Sequence, residues 1–216
     1  MSINIHRPGT LGGTSDTDFS RCRILLLDPF IGTRRLISDM LIRDMRVERV
    51  RAATSISDAM EKLNDEKPAG GGFNILFTDW SGQVDAIRLL GVLRATDSPY
   101  RFLPVVVMSA INSLDSVREA RDAGMNEFML KPFSAAVLQS RLRSITQVPR
   151  LYVEAAPFFG PDRRRRRDGY GGAERRDHSN YRYADRRSKL LPPPAGERRQ
   201  GRPGFVGNER RDEVRR

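Results

Sequence analysis

Short apolar runs alternate with stretches of helical spacing through the first 149 residues. Ile24-Leu25-Leu26-Leu27 is an unbroken apolar run that ends at Asp28-Pro29. Such a run predicts a strand covered on both faces. Leu36, Ile37, Met40 and Leu41 then recur at helical spacing, with Arg34, Arg35 and Arg43 around the rest of the turn. Val47–Ala53 reads as a second, weaker strand. Ser55 is placed to cap the next helix, where Ile56, Ala59, Met60 and Leu63 share one face. Pro68 and Gly70-Gly71-Gly72 require a loop. Phe73–Thr78 is a third strand and ends at Asp79. Ala86, Leu89, Leu90 and Leu93 make a third helix. Leu103–Met108, rich in valine, is a fourth strand ending at Ser109. Val117 and Ala120 belong to a fourth helix stopped by Gly124. Glu127–Leu130 is a fifth strand ending at Lys131-Pro132, and Leu138, Leu142 and Ile145 line a last helix.

Five β-α units in strict alternation predict an α/β fold, a doubly wound parallel sheet of five strands with helices on both faces. In such sheets the functional groups gather at the carboxyl ends of the strands. The residues at those ends are Asp28, Asp79, Ser109 and Lys131. Two carboxylates, a hydroxyl and an ammonium are thereby expected to converge on one edge.

Charge and composition divide the chain. From Arg150 onward there are 19 Lys/Arg against 10 Asp/Glu, while the rest carries 19 against 17. The expected organisation is a disordered leader over 1–21, a globular domain over 22–149, and a basic Arg-rich disordered tail over 150–216. The tail repeats one acid followed by two arginines, starting at Asp162, Glu174, Asp185, Glu197 and Glu209. These units have almost no apolar residues to stack, so composition predicts disorder, not a solenoid. Removing the chain from about Pro157 is accordingly expected to leave the domain's stability unchanged. A basic tail is drawn to polyanions, either nucleic acid or an anionic surface. Tyr170, Tyr181 and Tyr183 among the basic clusters suit stacking on single strands. The interleaved acids limit any such contact, and no helix-turn-helix or zinc-finger spacing is present. The lone Cys22 excludes an internal disulfide and reads as a packing residue. His6 and His178 have no ligand company and receive no role. No apolar run reaches the length of a membrane span, and residues 1–20 have no apolar signal core, so the expected location is cytoplasmic.

The ordered anchors carry a resemblance. The apolar strand ending in Asp28, Arg34-Arg35, Phe77-Thr78-Asp79-Trp80, Val106-Val107-Met108-Ser109-Ala110, Asp122-Ala123-Gly124 and Phe128-Met129-Leu130-Lys131-Pro132-Phe133 resemble the receiver domain of bacterial two-component response regulators. The resemblance covers residues 22 to 146 and implies a flavodoxin-like fold similar to the chemotaxis regulator. It implies that Asp79 takes a phosphoryl group from a histidine kinase or a histidine phosphotransfer protein. It implies Mg²⁺ held by Asp28, Asp79 and the backbone carbonyl of Ser81, with Lys131 and Ser109 on the phosphoryl oxygens and Phe128 as the switch aromatic. The signal would leave by protein contact through the fourth helix, fifth strand and fifth helix. No catalytic output motif follows, so the chain is expected to be a signalling protein and not an enzyme beyond self-catalysed phosphotransfer and dephosphorylation.

Three positions depart from the family pattern. Pro29 stands where a second acid, itself a metal ligand, is usual. Asp79-Trp80-Ser81-Gly82-Gln83 replaces the usual Met-Pro segment and is one residue shorter. Phe128 stands where tyrosine is commoner. Asp85 reads as a helix-end carboxylate, with a partial substitute for the missing acid as the alternative. Two other functions stay open: a pseudo-receiver that binds partners without phosphorylation, or a receiver that regulates a polyanion-binding tail.

Overall fold

The computed structural model describes residues 4–6, 18–66, 71–155 and 158–163. The chain divides into two units, residues 1–166 and 167–216, and every described residue lies in the first. Its elements are β1 (Asn4–His6), β2 (Arg23–Leu27), α1 (Ile31–Asp39), β3 (Arg49–Ala53), α2 (Ile56–Asp65), β4 (Ile75–Trp80), α3 (Ala86–Arg94), β5 (Val105–Ser109), α4 (Leu114–Asp122), β6 (Glu127–Leu130), α5 (Ala135–Gln147), β7 (Tyr152–Ala155) and β8 (Phe158–Pro161).

Strands β3-β2-β4-β5-β6 form the expected five-stranded parallel sheet. The side-chain alternation of each strand decides which helices cover which face. Leu25, Leu27, Leu76, Val105 and Val107 point to one core with Ala59 and Leu63 of α2, Leu89, Leu90 and Leu93 of α3, and Ala120 of α4. Ile24, Leu26, Ile75, Phe77, Val106 and Met108 point to the other, with Ile37 of α1 and Leu138, Leu142 and Ile145 of α5. The central strands are therefore apolar on both faces over residues 24–27, 75–77 and 105–108. The chain winds outward from β2 to β3, then crosses to β4 on the other side of β2. That reversal opens a crevice beyond the carboxyl ends of β2 and β4, where Asp28 and Asp79 lie.

The helix starts follow the sequence. Ser55, Asp85, Ser113 and Ser134 each accept a backbone N–H of the first turn with their side chains. Gly124 closes α4 at φ +95, a conformation that suits glycine. No helix among the described residues is long and apolar enough to cross a membrane.

Several boundaries differ from expectation. β4 runs through Asp79 to Trp80, and β5 includes Ser109, because Asp79 pairs with Met108 and Trp80 with Ser109. β3 begins at Arg49, since Val47 is spent bonding the Leu41 carbonyl as the preceding helix ends. That end, Met40–Asp44, widens to a π-type turn in which Met45 N–H reaches the Met40 carbonyl. Ile37 and Leu41 are buried, but Leu36 is 61% exposed. Leu36 falls on the outer side of the turn, while Ile37 and Leu41, four residues apart, share the inner one.

The larger correction concerns the domain limits. Asn4–His6, expected in a disordered leader, is the strand β1. Residues 152–155 and 158–161, expected in a disordered tail, are β7 and β8. The three form an antiparallel sheet of order β1-β7-β8. Hydropathy windows miss it because each strand has three or four residues and β1 lies far from β7 in sequence. The arginine-run residues from 164 on, the acid-arginine repeats after the first, Tyr170, Tyr181, Tyr183 and His178 lie outside the described residues.

Candidate functional site

Four strand-end residues meet at one edge of the parallel sheet. Asp28 follows β2, Asp79 and Ser109 lie in the last turns of β4 and β5, and Lys131 follows β6. All but Lys131 are buried. The Lys131 backbone N–H donates to the Ser109 carbonyl at 2.8 Å, which fixes where its side chain starts. The Lys131-Pro132 peptide bond is cis. From there the Lys131 ammonium donates to Asp28 Oδ2 and to Asp79 Oδ1, each at 2.6 Å. One cation thus bridges two buried carboxylates. The pair of acids exceeds it by one negative charge, in a setting where uncompensated charge is costly.

The rest of each carboxylate differs. Asp28 Oδ1 accepts the Phe30 N–H at 2.8 Å, and the Asp28 carbonyl accepts Arg34 Nη1 at 2.6 Å. Asp28 is therefore held on both sides. Asp79 Oδ2 is buried and has no hydrogen-bond donor. An oxygen left open in this way is the site's available lone pair. Ser109 Oγ is turned to the Trp80 carbonyl, donating at 2.9 Å, and accepts the Ile111 N–H at 3.1 Å. It does not bond Asp79 in this arrangement. Phe128 is half-buried against the core shared by α2, α3 and α4. Ser81 is half-buried, its N–H donating to the Val84 carbonyl at 3.1 Å.

The structure brings together Asp28, Asp79 and Lys131, with Ser109 one strand away. It leaves Pro29 beside them with no oxygen to offer from its side chain. Asp85 caps α3, accepting the Arg88 N–H at 3.0 Å, which is the helix-end role expected of it. Among the described residues no three His, Cys, Asp or Glu side chains cluster as a metal site. The donor set for a cation is two carboxylates, one of them with an open oxygen, and whatever backbone carbonyls adjoin. Such hard oxygen donors suit a magnesium-like ion, at a reduced ligand charge.

Sequence reasoning missed two contacts. Arg34 was an anchor of the resemblance, but its grip on the Asp28 carbonyl depends on how α1 leaves the sheet, and no local signal encodes that. Trp80 entered only as the residue after Asp79 in the resemblance, yet its carbonyl holds the Ser109 hydroxyl. His6, which received no role, stacks edge-on against Phe102 and reaches Glu154 at 3.4 Å.

Comparison with known proteins gives a consistent answer. Residues 24–143 match the family described as response regulator receiver domain. The chain is similar to the chemotaxis protein CheY of Pseudomonas aeruginosa, 34% identical over 124 residues, which cover 57% of this chain and 94% of that protein. It is likewise similar to chemotaxis protein CheY-3 of Vibrio cholerae, 32% identical over 57% of this chain and 90% of the relative. Among solved structures, that of the Vibrio cholerae chemotaxis protein CheY4 shares the fold, at a TM-score of 0.50 and 21% identity, covering 57% of this chain and 98% of that one.

Proposed function

The chain belongs to the response regulator receiver family, and from that premise we propose that it is a phosphoacceptor switch with Asp79 as the acceptor. One observation carries the reading: the Lys131 ammonium bridges Asp28 and Asp79 while a second, buried Asp79 oxygen has no donor. That oxygen is the nucleophile. It attacks the phosphorus of a phosphohistidine on a histidine kinase or phosphotransfer protein. The O–P bond forms, the P–N bond breaks, and the electron pair leaves with the imidazole. The product is an acyl phosphate.

Each neighbouring residue has a task. Lys131 pairs with a phosphoryl oxygen as a point charge. Ser109 leaves the Trp80 carbonyl and donates to another phosphoryl oxygen. Phe128 follows into the vacated space. The surface of α4, β6 and α5, where Ile111, Leu114, Leu130 and Val137 stand exposed, then differs between the two states, and a downstream protein selects one of them. Asp28, Asp79 and the Ser81 carbonyl would hold Mg²⁺, which neutralises charge on the transferred group when bound. A protein of this kind works in the cytoplasm, beside its kinase. Contact between the basic tail and nucleic acid or an anionic surface is a further part of this reading, carried by composition alone.

Pro29 favours a second reading. With no acid at that position and the Lys131 ammonium already bridging the two carboxylates, the domain would keep its fold and bind partners without being phosphorylated. Incubating the full chain with acetyl phosphate and Mg²⁺ separates the two. A base-labile adduct of one phosphoryl group on Asp79 supports the switch. A chain that stays unmodified under conditions that label a two-acid relative supports the pseudo-receiver.

A further inference from the structure

The small sheet β1-β7-β8 lies outside residues 24–143, the part that matches the family. Its contacts lie where α3 and α4 end and β5 and β6 begin, at the opposite end of the strands from the acceptor. They are close. A Cβ on Gly160 of β8 would meet Gly124 Cα at 2.8 Å, and one on Gly124 would meet the Phe159 carbonyl oxygen at 2.9 Å. Two backbones touch at the end of α4 with no room for a methyl group. Arg163, just past β8, ion-pairs with Asp122, the last residue of α4, at 3.0 Å while its guanidinium stacks 4.1 Å from the Phe158 ring centre.

A buried arginine completes the joint. Arg94, the last residue of α3, donates to the Gly124 carbonyl at 3.0 Å, to the Arg101 carbonyl at 2.9 Å and to Asn126 Oδ1 at 3.2 Å. Tyr152 of β7 covers its guanidinium and donates its hydroxyl to the same Asn126 oxygen at 3.2 Å. Arg101 lies 3.8 Å over Phe159 and pairs with Glu154 at 3.0 Å. The small sheet therefore holds the carboxyl end of α4 and Asn126, the residue just before β6. The amino end of α4 hangs from Ser109 through Ala110–Ser113. Any response of α4 that displaces its carboxyl end therefore has to break these contacts.

We propose that the β1-β7-β8 sheet is a brake on the switch: by bolting the end of α4 and the start of β6 in the unphosphorylated arrangement, it raises the free energy of the phosphorylated one. This rests on the switch reading above. Loosening the bolt should then shift the population toward the competent arrangement and speed labelling of Asp79, although nothing near the acceptor has changed.

The test uses the full chain and two variants. Gly160→Ala places a methyl group against the Gly124 backbone, so β8 must lift. Arg163→Ala removes the ion pair and the stack. Arg118→Ala, on the open side of α4, is the control. Hydrogen exchange without phosphodonor reads the bolt, and the rate of Asp79 labelling by acetyl phosphate with Mg²⁺ reads the coupling. Protection at 120–126 is expected to fall about tenfold in both variants, with α1 and β2 unchanged, and labelling is expected to rise several-fold. If Gly160→Ala does not fold, Arg163→Ala decides alone. Unchanged exchange at 120–126 overturns the brake, and so does faster exchange with unchanged labelling. If wild type itself never labels, the switch reading falls and the brake with it. A brake that fails by itself shows instead in a variant-to-wild-type ratio of one.

Discussion

At the scale of residues, the open oxygen of Asp79 and the missing oxygen at Pro29 give opposite expectations. Asp79→Asn should abolish labelling by acetyl phosphate and leave the circular dichroism spectrum unchanged, because an amide nitrogen is no nucleophile. A variant that labels at the wild-type rate would place the acceptor elsewhere. Pro29→Asp restores an anionic ligand and should tighten Mg²⁺ binding. The lone tryptophan, Trp80, adjoins the acceptor, so its fluorescence can follow the titration. Equal affinity in variant and wild type would mean that some other group already supplies that ligand. Cys22 makes a third expectation. Burial pushes its thiol up to about 12. The folded state thus keeps the proton that the unfolded chain loses near pH 9, so this stabilisation is present below that pH and is lost as pH rises toward 12. At pH 8 the native protein should resist a thiol reagent that labels it at once in denaturant.

At the scale of elements, caps and ties carry the measurable effects. Ser55 accepts the Asp58 N–H at 3.1 Å, so Ser55→Ala should cost ~1 kcal/mol in a denaturant midpoint. Gly124→Ala should cost more than that cap, since it combines a left-handed backbone with a clash against Phe159. The tie between β1 and β7 depends on pH. Hydrogen bonds from Arg101 and then His6 hold Glu154 below the usual carboxylate range. A lowered carboxyl contributes stability above its unfolded value and loses it as pH falls through its folded value. Amide protection in β1 and β7 should therefore fade on acidification below about pH 4, and Glu154→Gln should remove that dependence. Protection that falls equally in the variant would trace the effect to another group.

At the scale of the whole molecule, the domain does not stop where its hydrophobic pattern stops. A chain ending at Pro149 lacks Tyr152, which covers the Arg94 guanidinium, and lacks the whole of β8. Burial already holds the Arg94 guanidinium below its ordinary value, and stripping its cover exposes the aromatic surface around it. The chain ending at Pro149 should melt several degrees below one ending at Arg166, at ~2–4 °C per kcal/mol for a domain of this size. Equal melting temperatures would mean that the small sheet adds no stability. Cutting at Pro157 removes β8, so a stability-neutral cut has to fall beyond Arg163.

The sequence by itself determined the parallel sheet, its helices and the four strand-end residues. Those features repeat every few residues, and apolar runs, caps and glycine stops are local signals. The order β3-β2-β4-β5-β6 and the crevice it opens are properties of the assembled sheet. The tertiary structure alone decided which oxygens Lys131 holds, that Asp79 keeps one oxygen open, that Ser109 faces the Trp80 carbonyl, and that Arg34 grips Asp28. Each depends on a distance between strands that no spacing encodes. It alone also decided the small sheet. The pairs that join β1 to β7, such as His6 with Tyr152, are separated by almost the length of the domain. Three-residue and four-residue strands carry too little periodicity to be seen until a partner satisfies their backbone.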